Sequence, residues 1–179
     1  PSGLPFHARF VDVGADAGLR GLTVYGPVDR KDYIVETVGC GAALVDVDGD
    51  GWLDVLILSG SRLHDPPSDA SNRLYRNNRD GTFTDVTEAA GLLRQSWASS
   101  VAVADYDRDG DEDLFIANWG QNTLYQNDGR GRFRDVTMVA GLLEAPTRWG
   151  AGATFIDHDR DGDLDLYVSN YLVFDRVRA

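Results

Sequence analysis

Short apolar runs alternate with acidic, glycine-bearing clusters along this chain, and three of the alternations share one form. The runs 41–46 (GAALVD), 100–105 (SVAVAD) and 152–157 (GATFID) lead into Asp-rich stretches, and 54–58 (DVLIL), 113–117 (DLFIA) and 165–169 (DLYVS) lead out of them. Apolar runs of this length bounded by turn residues predict strands buried on both faces, and they are too short for ordinary helices. Each unit therefore reads as strand, loop, strand. The positions five to seven before each first loop Asp are small in all three copies: Gly39, Cys40 and Gly41; Ala98, Ser99 and Ser100; Gly150, Ala151 and Gly152. Small residues at matching strand positions predict close approach of neighbouring backbones.

A second repeat follows each of the first two hairpins. Residues 72–93 (NRLYRNNRDGTFTDVTEAAGLL) align without gaps on 122–143 (NTLYQNDGRGRFRDVTMVAGLL), fifty positions later, with 13 of 22 identical. Strands are predicted around Leu74-Tyr75 and Leu124-Tyr125 and again over 83–86 and 133–136, joined by Gly-containing turns at 78–81 and 128–131. Four antiparallel strands recurring about every fifty residues predict an all-β fold, a partial β-propeller of four-stranded antiparallel blades, with a β-sandwich as the bland alternative. The whole chain, 1–179, reads as one repeat region: 10–19 as the end of a preceding blade, 39–93 and 97–143 as blades, and 149–175 as the first hairpin of a further one. Propellers close with roughly 4 to 8 blades, so this chain would need further blades or other chains to complete a ring. An insertion at 62–70, found in no other unit, reads as a surface loop. Trp97 and Trp149 stand eight positions before the first loop Asp in their units and are expected to pack between blades rather than stack on a ligand.

The loops carry the chemistry. Asp46, Asp48, Asp50, Trp52 and Asp54; Asp105, Asp107, Asp109, Asp111 and Asp113; and Asp157, Asp159, Asp161, Asp163 and Asp165 occupy positions 1, 3, 5, 7 and 9 of one nine-residue template, with Gly51, Gly110 or Gly162 at position 6. Carboxylates at alternate positions around a sharp Gly turn wrap oxygens about a hard cation, as in the first half of an EF-hand loop. By that analogy the seventh residue offers its backbone carbonyl, which leaves its type free. An EF-hand needs a bidentate Glu at position 12, where this chain has Ile57, Ile116 and Val168 inside strands. The oxygen-only donors favour Ca²⁺ over zinc or copper, with Mg²⁺ second to it. The expectation is about three Ca²⁺ per chain, set against a metal-free solvated turn.

Charge supports this. The chain has 29 acidic residues against 17 basic, a formal net of −12, and the three loops hold 15 of the acids. Three divalent ions would add six positive charges and bring −12 to −6. No basic stripe is visible, which argues against nucleic acid, and no apolar run approaches the roughly 20 residues of a spanning helix. The chain starts at Pro1 without an initiator Met or signal peptide, as in a processed chain or an excised piece. A lone Cys40 excludes an intrachain disulfide framework and reads as a buried structural thiol.

Catalytic signals are weak. His7, His64 and His158 are scattered, and His158 sits in a loop at a position expected to point outward. A phosphatase-like use of Asp46 and Asp48 is possible from residue types, but triplication argues against it. No enzyme activity is expected.

The loops with their flanks resemble the FG-GAP or VCBS repeats of integrin α-chain propellers. The order 36–46, 72–77, 81–87 and 90–92 is also similar to bacterial relatives of cartilage acidic protein, which often carry an ASPIC/UnbV segment that this chain lacks. The resemblance implies an extracellular or periplasmic, calcium-loaded propeller that binds partners without chemistry of its own. The function expected is a noncatalytic interaction or structural module for a protein or glycan, with other chains as candidates to complete the ring. The alternatives are an accessory subunit of a larger cell-surface or periplasmic assembly, for which an open blade edge would serve by strand addition, and a polysaccharide-acting hydrolase or lyase.

Overall fold

In the computed structural model, which describes residues 9–143 and 148–173, the chain forms ten strands and one short 3₁₀ turn, Ile34–Thr37. The strands are β1 (Ala42–Val45), β2 (Asp54–Ile57), β3 (Arg73–Asn77), β4 (Phe83–Asp85), β5 (Ala98–Ala104), β6 (Asp113–Asn118), β7 (Thr123–Asn127), β8 (Phe133–Asp135), β9 (Gly150–Ile156) and β10 (Asp165–Asn170). They make two four-stranded sheets, ordered β1-β2-β3-β4 and β5-β6-β7-β8, and the hairpin β9-β10, all antiparallel. The four-stranded antiparallel units and the third hairpin expected from the repeat are present as separate sheets. His7 and residues 174–175 of the expected third hairpin lie outside the described residues.

The sheets stack because their apolar strands have two apolar faces. Along β6 every residue is buried. Leu114 and Ile116 meet Val45, Leu56, Leu58 and Leu74 of the first sheet, while Phe115 and Ala117 meet Ala153, Phe155, Leu166 and Val168 of the third hairpin. Each fully buried side chain of this size contributes roughly 1.5–3 kcal/mol. The expectation of burial on both faces holds for β6 and not for β10, where Tyr167 is 65% exposed. The small residues do bring backbones together: a Cβ built on Gly41 would lie 3.4 Å from the Ser100 Cα, and one on Gly150 would lie 3.0 Å from the Ala117 Cβ.

The repeated DVT-x-x-A-G-L segment is a turn that closes one sheet and docks on the next. The Thr87 hydroxyl donates to Asp85 Oδ1 (2.6 Å) and accepts the Leu74 N–H (3.0 Å); Thr137 does the same with Asp135 and Leu124. The Ala90 carbonyl then accepts the Phe133 N–H of β8, as the Ala17 carbonyl accepts the Phe83 N–H of β4, both at 2.8 Å. The amino-terminal copy keeps this turn but not its strand. Phe10–Val13 belongs to no strand, and Phe10 is 90% exposed.

The other end of the stack is closed by aromatic rings. Trp97 and Trp149 are buried with Val35 and Leu63, and Trp97 meets Trp119 edge-on at 5.6 Å, as expected of side chains packed between sheets. Leu63 and Ala70 belong to the insertion, which is therefore a loop with two buried anchors (3% and 1% exposed) rather than a wholly surface one. Cys40 is half-buried, and desolvation pushes its thiol up to about 11.

Candidate metal centres

Each Asp-rich loop joins the first two strands of its sheet, so all three lie at the same end of the stack. Their backbones repeat. Position 6 is left-handed in every copy (Gly51 φ 84°, Gly110 φ 98°, Gly162 φ 91°), and so is position 4, filled by Gly49, Arg108 and Arg160. The first Asp holds the turn: Asp46 accepts the N–H groups of Asp50 (3.0 Å) and Gly51 (2.8 Å), Asp105 those of Asp109 and Gly110 (both 3.0 Å), and Asp157 that of Gly162 (3.1 Å). The fifth Asp accepts the N–H of position 7 in each loop, at Trp52, Asp111 and Asp163.

Oxygens of Asp46, Asp48 and Asp50 lie within 4.8 Å of one another, as do those of Asp105, Asp107 and Asp113, and those of Asp157, Asp159 and Asp161. Asp54, Asp109 and Asp165 fall outside these groups, Asp165 lying instead in a further group with His158 and Asp159. Asp54 accepts two backbone N–H groups, that of Val47 at Oδ2 (3.2 Å) and that of Asn77 at Oδ1 (2.7 Å). Asp113 makes the matching pair with Tyr106 (3.2 Å) and Asn127 (2.8 Å). These two ninth-position residues are 1% and 0% exposed, and burial, opposed by those N–H bonds, pushes Asp113 up to about 6 and Asp54 upward. Asp50 is held below the usual carboxylate range by the Arg79 guanidinium, which bonds it at 2.6 and 3.1 Å.

The seventh-position side chains turn elsewhere. Trp52 is half exposed, Asp111 lies against Gly129, where a Cβ would meet its carboxylate, and Asp163 pairs with Arg108 of the second loop. In the third loop the His158 side chain is 70% exposed, as expected of an outward-facing position. Its Nδ1 lies 2.7 Å from Asp165 Oδ2 and holds that carboxyl low, because the ninth Asp here has no strand-borne asparagine N–H among the described residues and its oxygen is open to the ring.

Two oxygens report on what the loops lack. Asp48 Oδ1 and Asp157 Oδ1 are shielded from solvent with no hydrogen-bond donor from the protein. Shielded carboxylate oxygens without a donor are costly, and crowded acids at this spacing repel. An oxygen-only set of this kind fits a hard cation.

Residues 46–116 and again 105–168 match the sequence profile of the FG-GAP-like repeat. The chain belongs to the FG-GAP-like repeat family. The two matches begin at Asp46 and Asp105, the first loop residues, so the FG-GAP unit runs from loop to loop across the sheets described above. Cartilage acidic protein 1 of Homo sapiens is 32% identical over 112 residues, covering 60% of this chain, and the match spans 17% of that relative's length. No helix among the described residues is long and apolar enough to cross a membrane.

The sequence reading missed the asparagines that end β3 and β7. Asn77 and Asn127 hold the ninth Asp through their N–H and the eighth-position carbonyl through Nδ2, to Leu53 O (2.9 Å) and Glu112 O (3.1 Å). Their signal was in plain view, as the last letter of the repeated NRLYRN and NTLYQN.

Proposed function

We propose that this FG-GAP protein is a calcium-stabilised interaction module whose sheets are blades of a β-propeller and whose loops each take one Ca²⁺. The carrying observation is that three loops with one backbone form each gather three carboxylate oxygens within 4.8 Å, and two of the loops shield an oxygen that no protein donor meets. Asp46, Asp48 and Asp50 in the first loop, Asp105, Asp107 and Asp113 with Asp109 beside them in the second, and Asp157, Asp159 and Asp161 in the third would hold the ion, the seventh residue through its carbonyl, and the ion would supply charge neutralisation rather than chemistry. The buried Asp54 and Asp113 each accept two backbone N–H groups, which supports a structural use of these acids over catalysis.

Extracellular placement and a protein or glycan partner are the reading that the FG-GAP family and the likeness to cartilage acidic protein 1 support. Millimolar calcium outside the cytoplasm suits loops of modest affinity. Other blades, from this or another chain, complete the ring. The test is thermal unfolding of the chain in chelator, in millimolar Ca²⁺ and in millimolar Mg²⁺. A ligand at 100 times its Kd adds about 2.7 kcal/mol, so calcium should raise the midpoint by several degrees and magnesium by less. Identical curves in chelator and calcium would sink the proposal.

A further inference from the structure

Neighbouring loops touch through one buried side chain. Asn127, 3% exposed at the end of β7, donates from Nδ2 to the Val47 carbonyl in the first loop (2.9 Å) and to the Glu112 carbonyl in the second (3.1 Å). Both partners are acceptors, so the amide orientation is fixed. Its N–H holds Asp113 Oδ1 (2.8 Å) and its Oδ1 accepts the Gly129 N–H (3.2 Å), so every polar group of that residue but its carbonyl is engaged in this contact.

The bridge reaches carboxylates on both sides. The Val47 N–H is bound by Asp54 Oδ2, so one residue, Val47, links the ninth Asp of the first loop through its N–H to the Asn127 amide through its carbonyl, and on to the ninth Asp of the second. Two contacts run alongside. Glu112 Oε2 accepts the Asp46 N–H (3.3 Å), and a Cβ on Gly131 would lie 3.2 Å from Val47 Cγ2. Asn77 holds its own Leu53 and Asp54 in the same way and bonds no second loop among the described residues. The contact between the second and third loops, Arg108 with Asp163, is by comparison an exposed pair that solvent screens.

We propose that Asn127 is a positioning residue that couples the first two cation sites, so that filling one loop raises the affinity of the other. The inference rests on the calcium reading above. A cation that orders either loop fixes the peptide which the amide grips, and the neighbour then binds to a backbone already in place; such coupling is reciprocal and typically about 5–150-fold in affinity. Repulsion between the two ions works against it, and salt weakens that repulsion at exposed loops.

Three glycines make the test site-specific, because the Gly51, Gly110 and Gly162 N–H groups each bond the first Asp of their own loop. The chelator-stripped, ¹⁵N-labelled chain is titrated with Ca²⁺ while these amides are followed by NMR. Asp48→Ala removes a ligand from the first loop but none of the hydrogen bonds that shape it. In this variant the Gly110 midpoint should rise by about tenfold and the Gly162 midpoint should stay. Asn127→Ala, if its spectrum remains dispersed, should also raise the midpoint of Gly51, a loop to which Asn127 does not belong, whereas Asn77→Ala should leave Gly110 close to wild type. A Gly110 midpoint unmoved by Asp48→Ala, with all three amides still responding in the wild type, overturns the coupling alone. Three amides that never respond to Ca²⁺ overturn the coupling together with the calcium reading.

Discussion

Gly91→Ala and Gly141→Ala are the same substitution in two copies of one turn, and the structure predicts different costs. Both glycines are left-handed, at φ 76° and 73°. A Cβ on Gly91 would sit 2.8 Å from the Phe133 carbonyl oxygen, whereas one on Gly141 meets nothing within 4 Å among the described residues. The left-handed conformation costs an L-residue roughly 1–2 kcal/mol, partly offset by the roughly 0.4–1 kcal/mol gained from a less flexible unfolded chain. Gly141→Ala should therefore cost about 1 kcal/mol. Gly91→Ala carries that cost and an overpacking cost of about 1–3 kcal/mol, because the obstructing atom is backbone and the Phe133 N–H is itself tied to the Ala90 carbonyl at 2.8 Å. For a chain of this size each kcal/mol moves Tm by roughly 2–4 °C. Urea and thermal unfolding in saturating calcium should place Gly91→Ala clearly below Gly141→Ala. Equal destabilisation would mean that the turn does not dock on β8 in solution, and the stacking of the sheets described here would be wrong.

Asp109→Ala should lower calcium stoichiometry by one and reduce Tm; unchanged stoichiometry in a calcium titration would remove Asp109 from the ligand set. Asp113, pushed up to about 6 by burial, should make the chelated protein pH-sensitive. Its neutral form is favoured in the fold, so this stability is fully present below the unfolded pKa near 4 and is lost as pH rises through about 6, a change of roughly 3 kcal/mol. Urea unfolding of the chelated wild type against Asp113→Asn between pH 4 and 7 should show a clearly larger step in the wild type, the variant keeping only the contribution of Asp54; steps of equal size would remove Asp113 as its source. Cys40, with its thiol at about 11, should alkylate slowly at pH 8 in the folded protein and quickly in urea; equal rates by mass spectrometry would refute its burial.

The parts of the fold that were legible in the sequence are those whose cause is local. Strands β1, β2, β5, β6, β9 and β10 follow from apolar runs flanking an Asp-Gly turn, and the second halves of the sheets from the repeat of 72–93 at 122–143. The loop positions were legible for the same reason, since a left-handed Gly at position 6 and a capping Asp at position 1 act within a few residues. What was missed is held by distant partners. The segment from Gly21 to Glu36 has no periodic pattern, yet Gly21 N–H bonds the Tyr75 hydroxyl (2.5 Å), Val24 N–H bonds Ser59 Oγ (3.1 Å), and Val35 is fully buried against Leu63 and the tryptophans. The contact of the exposed His158 ring with Asp165 was missed because it depends on how the ninth Asp is satisfied. Asn127 was missed because its role lies in a neighbouring sheet, eighty residues from Val47.

The most direct test of the account is calorimetric titration of the chelator-stripped chain with Ca²⁺, with its mass in solution determined before and after. About three ions per chain and a large gain in stability are predicted from the three carboxylate clusters. No binding would mean that the Asp-rich loops are solvated turns and that calcium has no part in holding this FG-GAP fold together.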